Sequence, residues 1–302
     1  MQPSIKQHRL HFGPNRKRAI EGYLVILPWM AGFAVFTAGP LIAGLSLAFT
    51  KYDILSPPRW VGLANFWRLV GDDLVIETIK NTFVITIFSV VPRLLIALGL
   101  AILVNQRLRF VGAFRTIFYT PTIVPAFASA ILWMLLMAKD AGTLNYFLGV
   151  VGLAKQGWLT DPSVSKGSIA IMTLFYFGPQ MLIFLAALQA VPRELIEAAT
   201  VDGASTFGCF WNVTVPMISP AIFFNLVVLL VETIQIFTPP FIATQGGPMN
   251  STYTIVMYIY DQAFSNLRFG YSSVLSIMLL CVILCVTWLQ FRFSKWVYYE
   301  TG

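Results

Sequence analysis

The chain alternates between long apolar runs and short polar connectors. Six runs are long enough for a helix rising about 1.5 Å per residue to cross a hydrocarbon core of about 30 Å. They lie at Tyr23–Phe49, Phe83–Val104, Ile117–Met137, Ile169–Ala190, Ile218–Phe237 and Val274–Phe291. The first follows a basic segment, residues 1–21, in which Lys6, Arg9, Arg16, Lys17 and Arg18 face the single acid Glu21. A secretory signal also opens on a basic segment, but its apolar core runs only about 7–15 residues to a cleavage site. The run from Tyr23 to Phe49 is far longer and offers no such site, so it reads as a retained span, kinked at Gly39-Pro40. Pro121 and Pro125 predict an irregular start to the third span, and Pro239-Pro240 predict the end of the fifth.

Composition fits this pattern. Of 302 residues, 57% are hydrophobic and 11% charged, with a mean hydropathy of +0.75. Soluble domains carry about a quarter charged residues. The expectation is an all-α membrane protein of six transmembrane helices, with a basic tail at 1–21 and one bundle at 22–302. The net charge of +7 then reads as topology rather than nucleic-acid binding. With the N-terminus in the cytoplasm, the inner segments 1–22, 105–116, 191–217 and 292–302 hold eleven Lys and Arg, and the outer loops hold eight. The connector carrying Arg107, Arg109 and Arg115 has no acid and gives the clearest signal. Both termini are expected on the cytoplasmic side.

Enzymatic and metal chemistry find no foothold. There is no G-x-x-x-x-G-K-[ST] with which the chain could bind ATP, and no G-x-S-x-G, H-E-x-x-H or C-x-x-C. His8 and His11 lie in the basic tail, where they read as solvated. Cys209 falls in a connector, while Cys281 and Cys285 sit one helical turn apart in a span, a pattern with no disulfide or metal framework. No catalytic residue, metal ligand or cofactor site is expected.

One connector stands apart, Pro192 to Pro216, reading PRELIEAATVDGASTFGCFWNVTVP. Pro192 suits the first turn of a helix, Arg193 to Ala199 are good helix formers, and Gly203 offers an exit through positive φ. Ser205 can cap a second short helix to about Val213, which Pro216 is expected to stop. A surface helix in a loop would explain a bare EAA triplet. Glu197-Ala198-Ala199 followed by Asp202-Gly203-Ala204 and Val215-Pro216, with a span on each side, resembles the EAA loop of ABC importer permeases. The resemblance implies a MetI-like permease fold in which 191–217 is a coupling loop docking on a cytoplasmic ATPase.

Further residues resemble the carbohydrate branch of that family, the six-span subunits related to maltose-type permeases. They are VGLANF at Val61 to Phe66, TQGGP at Thr244 to Pro248 followed by Ser251-Thr252, then Tyr260, Phe264 and FGYSS at Phe269 to Ser273. Where relatives often carry Asp after the Phe that precedes this loop, this chain has Thr238-Pro239-Pro240. The resemblance implies a second permease subunit, two ATPase subunits that bind the ATP, and an extracytoplasmic solute-binding protein delivering a sugar or oligosaccharide at a bacterial inner membrane. A permease for a non-sugar solute is the nearest alternative. A standalone secondary transporter would favour inverted repeats, and none is visible. An intramembrane enzyme would need a convergent acid, base or metal set.

Two ionisable residues fall inside spans, Arg93 after Pro92 and Glu232 in the fifth run. Each would cost about 2.5–3.5 kcal/mol facing lipid alone, so each must face a partner or a wet cavity. An ion pair that only fixes packing is one reading. The other is a substrate path lined by Arg93, Glu232, Gln235 and Phe237, whose ring could meet the apolar face of a sugar. In the outer loops, Trp60 and Trp67 read as interfacial, Gly246-Gly247-Pro248 as a turn, and Tyr253, Tyr258, Tyr260 and Phe264 as an aromatic belt.

Overall fold

The computed structural model describes residues 16–106 and 110–298, with side chains from residue 23 onward. Lys6, His8, Arg9, His11, Arg107 and Arg109 lie outside the described residues, and the side chains of Arg16, Lys17, Arg18 and Glu21 do as well.

The described residues form a helical bundle. The first span joins α1 (Arg16–Phe33) to α2 (Gly39–Leu47) through a π turn at Ala34–Ala38. At the kink expected at Gly39-Pro40 the helix instead widens in the turn just before it, where Gly39 N–H bonds the Ala34 carbonyl. A wider turn suits a proline that has no N–H to return. Two residues of β1 (Thr50–Lys51) pair antiparallel with β2 (Arg59–Trp60), the one pair of strands among the described residues. After α3 (Ala64–Val70), α4 runs from Asp73 to Asn105. At about 1.5 Å per residue it is roughly 50 Å long, so it overruns the membrane and starts well before the expected Phe83. Asp72 explains the early start: its carboxylate caps the helix by accepting from Leu74 N at 3.1 Å.

The next two spans are broken. The third consists of α5 (Val111–Ile123) and α6 (Ala126–Leu136), bent by 93°. The irregularity falls at Val124-Pro125, mid-span rather than at the start, because the residue before a proline is pushed out of the helical region. After α7 (Thr143–Val150), the fourth span consists of α8 (Pro162–Leu174) and α9 (Gly178–Ala190), bent by 55°. Gly178-Pro179 opens α9, a start signal that the single run Ile169–Ala190 overlooked.

The connector holds α10 (Arg193–Val201) and α11 (Thr206–Cys209), followed by a π turn at Phe210–Thr214, α12 (Val215–Met217) and α13 (Ser219–Ile234). Pro216 does not stop the second short helix. The π turn again comes just before the proline, with Val215 N–H bonded to the Phe210 carbonyl, and the chain runs on helically into the fifth span. Nor do Pro239-Pro240 end that span. After a break at 235–237 they lie in the first turn of α14 (Thr238–Ala243), where a missing N–H costs nothing. Helix α15 (Ile255–Tyr260), a third π turn (Asp261–Ser265) and α16 (Phe269–Arg292) complete the chain. Four helices are long and apolar enough to cross a membrane, and the two bent pairs bring the number to six.

Helix α4 is the axis on which the rest is packed. Its buried residues Thr78, Asn81, Thr82, Thr86, Ser89 and Arg93 lie at helical spacing, mostly three or four positions apart, giving a polar stripe on one face. Further along, Ala97 and Ala101 let α9 approach closely, against Met181, Phe184 and Leu185. Asn81 Nδ2 donates to the carbonyls of Asn250 and Tyr253 at 2.7 and 3.1 Å, and Thr82 Oγ1 accepts from Ile255 N at 3.0 Å. The segment after α14 is thereby fastened to α4.

Candidate functional site

At one end of the bundle the connector folds as a helix–turn–helix. Helix α10 closes with Gly203 at φ +86°, where Gly203 N–H bonds the Thr200 carbonyl at 3.1 Å and Ala204 N–H bonds the Ala199 carbonyl at 3.0 Å. This pair of reverse bonds around a left-handed residue is a Schellman close, which favours glycine. Ser205 caps α11 by accepting from Gly208 N at 3.1 Å. Glu197, Ala198, Asp202 and Gly203 are exposed, while Ala199 and Ala204 are half-buried at the turn. Ile196 packs against the cluster formed by α4 and α9. The outer side carries Leu195, Val201, Phe207 and Trp211, all exposed. A firmly seated helix with an apolar exposed face beside a carboxylate can take a protein partner.

In the middle of the bundle, the three chain breaks meet α4. A helix break inside a membrane frees backbone groups that water cannot satisfy there. The Tyr176 carbonyl, freed between α8 and α9, is taken by Arg93 through Nε at 3.1 Å and Nη2 at 2.6 Å. The remaining arm, Nη1, reaches Glu232 Oε1 at 3.0 Å. The side chain of Arg93 is 3% exposed and that of Glu232 is 50% exposed. The cation is thus structural and buried, while the carboxylate opens on a cleft of about 190 Å³ that Arg93, Ala126, Tyr176, Glu232, Phe237 and Pro239 help to line. Arg93, Glu232 and Phe237 come together as expected. Gln235 does not join them: its Nε2 turns back to the Val231 carbonyl at 3.0 Å, and it is absent from the cleft wall.

The third of these breaks is tied to the opposite end of the molecule. Thr254 Oγ1 donates to the Ile236 carbonyl at 3.1 Å, linking the segment after α14 to the 235–237 break. Within that segment Tyr258 does not join an aromatic belt at the surface. Tyr258 and Tyr271 are buried and both donate to Asp72, the cap of α4, while Arg68 lies over the Tyr271 ring at 4.3 Å. Burial first, and then the bond to Asp72, push the Tyr258 phenol up to about 12. Tyr253 donates to Asp261 and is likewise raised, by burial and then by that bond. Both phenols therefore stay protonated donors at neutral pH. Trp60 and Trp67, read as interfacial, are exposed. The sequence reading missed Tyr176, Asn81 and Asp72. The polar residues spaced along α4 were the available signal for Asn81, and nothing local marks the Tyr176 carbonyl. Among the described residues no group of His, Cys, Asp or Glu could hold a metal ion, and the three cysteines are free.

Comparison with known proteins agrees with this architecture. Residues 93–298 match the family described as binding-protein-dependent transport system inner membrane component. A probable ABC transporter permease protein of Bacillus subtilis, YesP, is 36% identical over 95% of this chain and 94% of its own length. The lactose transport system permease protein LacF of Rhizobium radiobacter is 32% identical over 91% of this chain and 94% of its own. The sn-glycerol-3-phosphate transport system permease protein UgpA of Agrobacterium fabrum is 30% identical, with 95% and 98% covered. Among solved structures, a chain of a bacterial alginate ABC transporter, in complex with an alginate pentasaccharide-bound periplasmic protein, superposes with a TM-score of 0.80 at 25% identity, covering 92% of this chain and 95% of that one. These relatives are membrane transport subunits rather than enzymes. The chain belongs to the binding-protein-dependent inner membrane component family, and it is a permease subunit of an ABC importer.

Proposed function

We propose that this permease imports a sugar or oligosaccharide, driven by ATP hydrolysis on two partner ATPase subunits, across a bacterial inner membrane. A second permease subunit completes the pathway, and a solute-binding protein delivers the substrate from outside. The observation that carries the reading is the pairing of two features: a Schellman-closed EAA-type loop at one end and a cleft with a ring and a free carboxylate edge at mid-bundle. Residues 22–302 act as the permease domain, with 191–217 as its coupling loop and the basic tail 1–21 in the cytoplasm beside the C-terminus.

Glu197, Ala198, Ala199, Asp202, Gly203 and Ala204 form the part that meets the ATPase. ATP-driven closure of the ATPase pair moves α10, and Ile196 passes that motion to the α4–α9 core. The three broken spans provide the joints at which the cleft changes its side of access. A solute is carried only if its binding differs between the two states. In the cleft, Glu232 and the Phe237 ring suit a hydroxyl-rich solute with one apolar face, held weakly enough to leave. The names of the lactose and alginate relatives support a glycan, while the glycerol-phosphate relative keeps a smaller polyol phosphate as the second reading.

The test is uptake by vesicles carrying the full importer, supplied with labelled lactose, alginate pentasaccharide, sn-glycerol 3-phosphate and an amino acid. ATP-dependent accumulation of a glycan is expected. Accumulation of the amino acid alone would remove the carbohydrate assignment.

A further inference from the structure

A row of aromatic rings leaves the cleft and runs to the end of the molecule opposite the coupling loop. Phe237 lies 5.2 Å from Tyr260, Tyr260 lies 5.0 Å from Phe264, and Phe264 lies 5.8 Å from Phe269. Phe269 in turn is 5.9 Å from Tyr52, centroid to centroid. Four separate segments contribute: the fifth-span break, the helix with its π turn at Asp261–Ser265, the start of α16 and the hairpin after the first span. The far end opens into a second cavity of about 260 Å³, lined by Lys51, Tyr52, Arg68 and Arg268 among others.

This row is not a buried core. Phe264 is 61% exposed, and Tyr52, Phe237, Tyr260 and Phe269 are only half-buried. The π turn begins immediately after Tyr260 and contains Phe264, so a local irregularity falls where the two rings are brought together. The neighbouring residues are polar: Ser265, Asn266 and Arg268 follow Phe264 and are exposed, and Arg268 has no carboxylate within ion-pair distance among the described residues.

We propose that the row Tyr52–Phe269–Phe264–Tyr260–Phe237 is a track along which an oligosaccharide passes from the outer cavity to the Arg93–Glu232 cleft. This rests on the carbohydrate reading above. The axial C–H bonds of a pyranose carry partial positive charge and meet the negative face of an aromatic ring. Each ring offers a weak, similar contact, and closely spaced equal sites let a chain of sugars advance without a deep trap. The polar edge exchanges hydrogen bonds with the hydroxyls as each unit moves. A single small cation or aromatic side chain engages one ring at a time, whereas a glycan of several units engages several rings at once.

The test uses the complete importer in vesicles, with Phe264→Leu, Phe264→Tyr and Phe264→Ala, and with labelled lactose and alginate pentasaccharide as probes. Phe264→Leu keeps the side chain apolar but removes the ring face. It is expected to slow uptake of the glycan the wild type carries by about tenfold, the factor of one aromatic contact. Phe264→Tyr is expected to carry that glycan at the wild-type rate, and all three variants should retain the second permease on co-purification. Wild-type uptake by Phe264→Leu would overturn the track while leaving the carbohydrate reading intact. Loss of the second permease from Phe264→Leu and Phe264→Ala would assign the ring to the subunit interface instead. If the wild-type importer carries neither glycan, the carbohydrate reading fails and the track fails with it.

Discussion

At the scale of single residues, Arg93 and Glu232 have different roles although they form one ion pair. The guanidinium satisfies the Tyr176 carbonyl twice and the carboxylate once, so removing it orphans a backbone acceptor and a carboxylate together. Arg93→Ala should therefore lower the stability of the assembled importer by about 3 kcal/mol. Glu232→Gln keeps an oxygen for Nη1, and its side chain is 50% exposed, so the stability loss should stay near 1 kcal/mol while uptake falls much further. Thermal melts of the two variants beside uptake rates decide this. Equal melting losses would make the pair a packing device only. Gly178 is the second critical position. A methyl there would overlap Thr122 Oγ1 and come within 3.1 Å of the Tyr119 ring, because the breaks of the third and fourth spans abut. Gly178→Ala should cost about 1–3 kcal/mol by overpacking. Thr122→Ala should restore part of it, since that hydroxyl is buried without a partner. A double variant no more stable than Gly178→Ala alone would place the strain elsewhere. Arg93 and Glu232 were legible in the sequence because charge inside an apolar run is costly. Their contact was not, since 139 residues separate them.

At the scale of elements, the sequence showed how many spans there are better than how each is built. Six apolar runs became six spans, because hydropathy over such lengths reports burial in lipid directly. The prolines misled wherever they were read as stops. Pro216 follows a π turn that absorbs the missing N–H, as Pro40 does at its expected kink, and Pro239-Pro240 open a helix instead of closing one. Proline dictates only that one donor is absent, and tertiary packing decides whether the helix bends, widens or restarts. The 191–217 connector was read correctly at the positive-φ exit of Gly203 and the Ser205 cap, since caps and left-handed closes depend on local chemistry, but not at the helix end at 213–216. Its prediction is correspondingly sharp. Gly203 holds φ +86° with open space around its α-carbon, so a substitution there fails through backbone conformation and not through collision. Gly203→Val should break the Schellman close and re-aim α10, abolishing ATP-driven uptake while the spans stay inserted. Vesicle uptake alongside ATPase co-purification measures it. Normal transport with the ATPase still bound would show that this turn is not a required joint.

At the scale of the whole molecule, the bundle is organised around α4, and the first span stands apart from it. No residue in the apolar window of Tyr23–Leu47 is buried, and its second half, α2, meets the other spans chiefly through α16. Tyr23, Trp29 and Phe36 are 71%, 70% and 81% exposed, and Trp29 stacks on Phe33 at 5.6 Å. Lipid would accept any apolar residues here, because hydrocarbon does not discriminate among side-chain shapes. A partner helix would discriminate, since association inside a bilayer depends on close packing and not on hydrophobicity. Replacing Trp29, Phe33 and Phe36 together by leucine separates the two possibilities, as hydropathy and insertion are preserved while shape is lost. The isolated chain should melt as before, because these rings contact little of its own bundle. Recovery of the second permease on co-purification should fall severalfold, and uptake should fall with it. If the triple variant recovers the second permease in full, the first span faces lipid alone, and the subunit contact has to be sought on the exposed faces of the remaining spans.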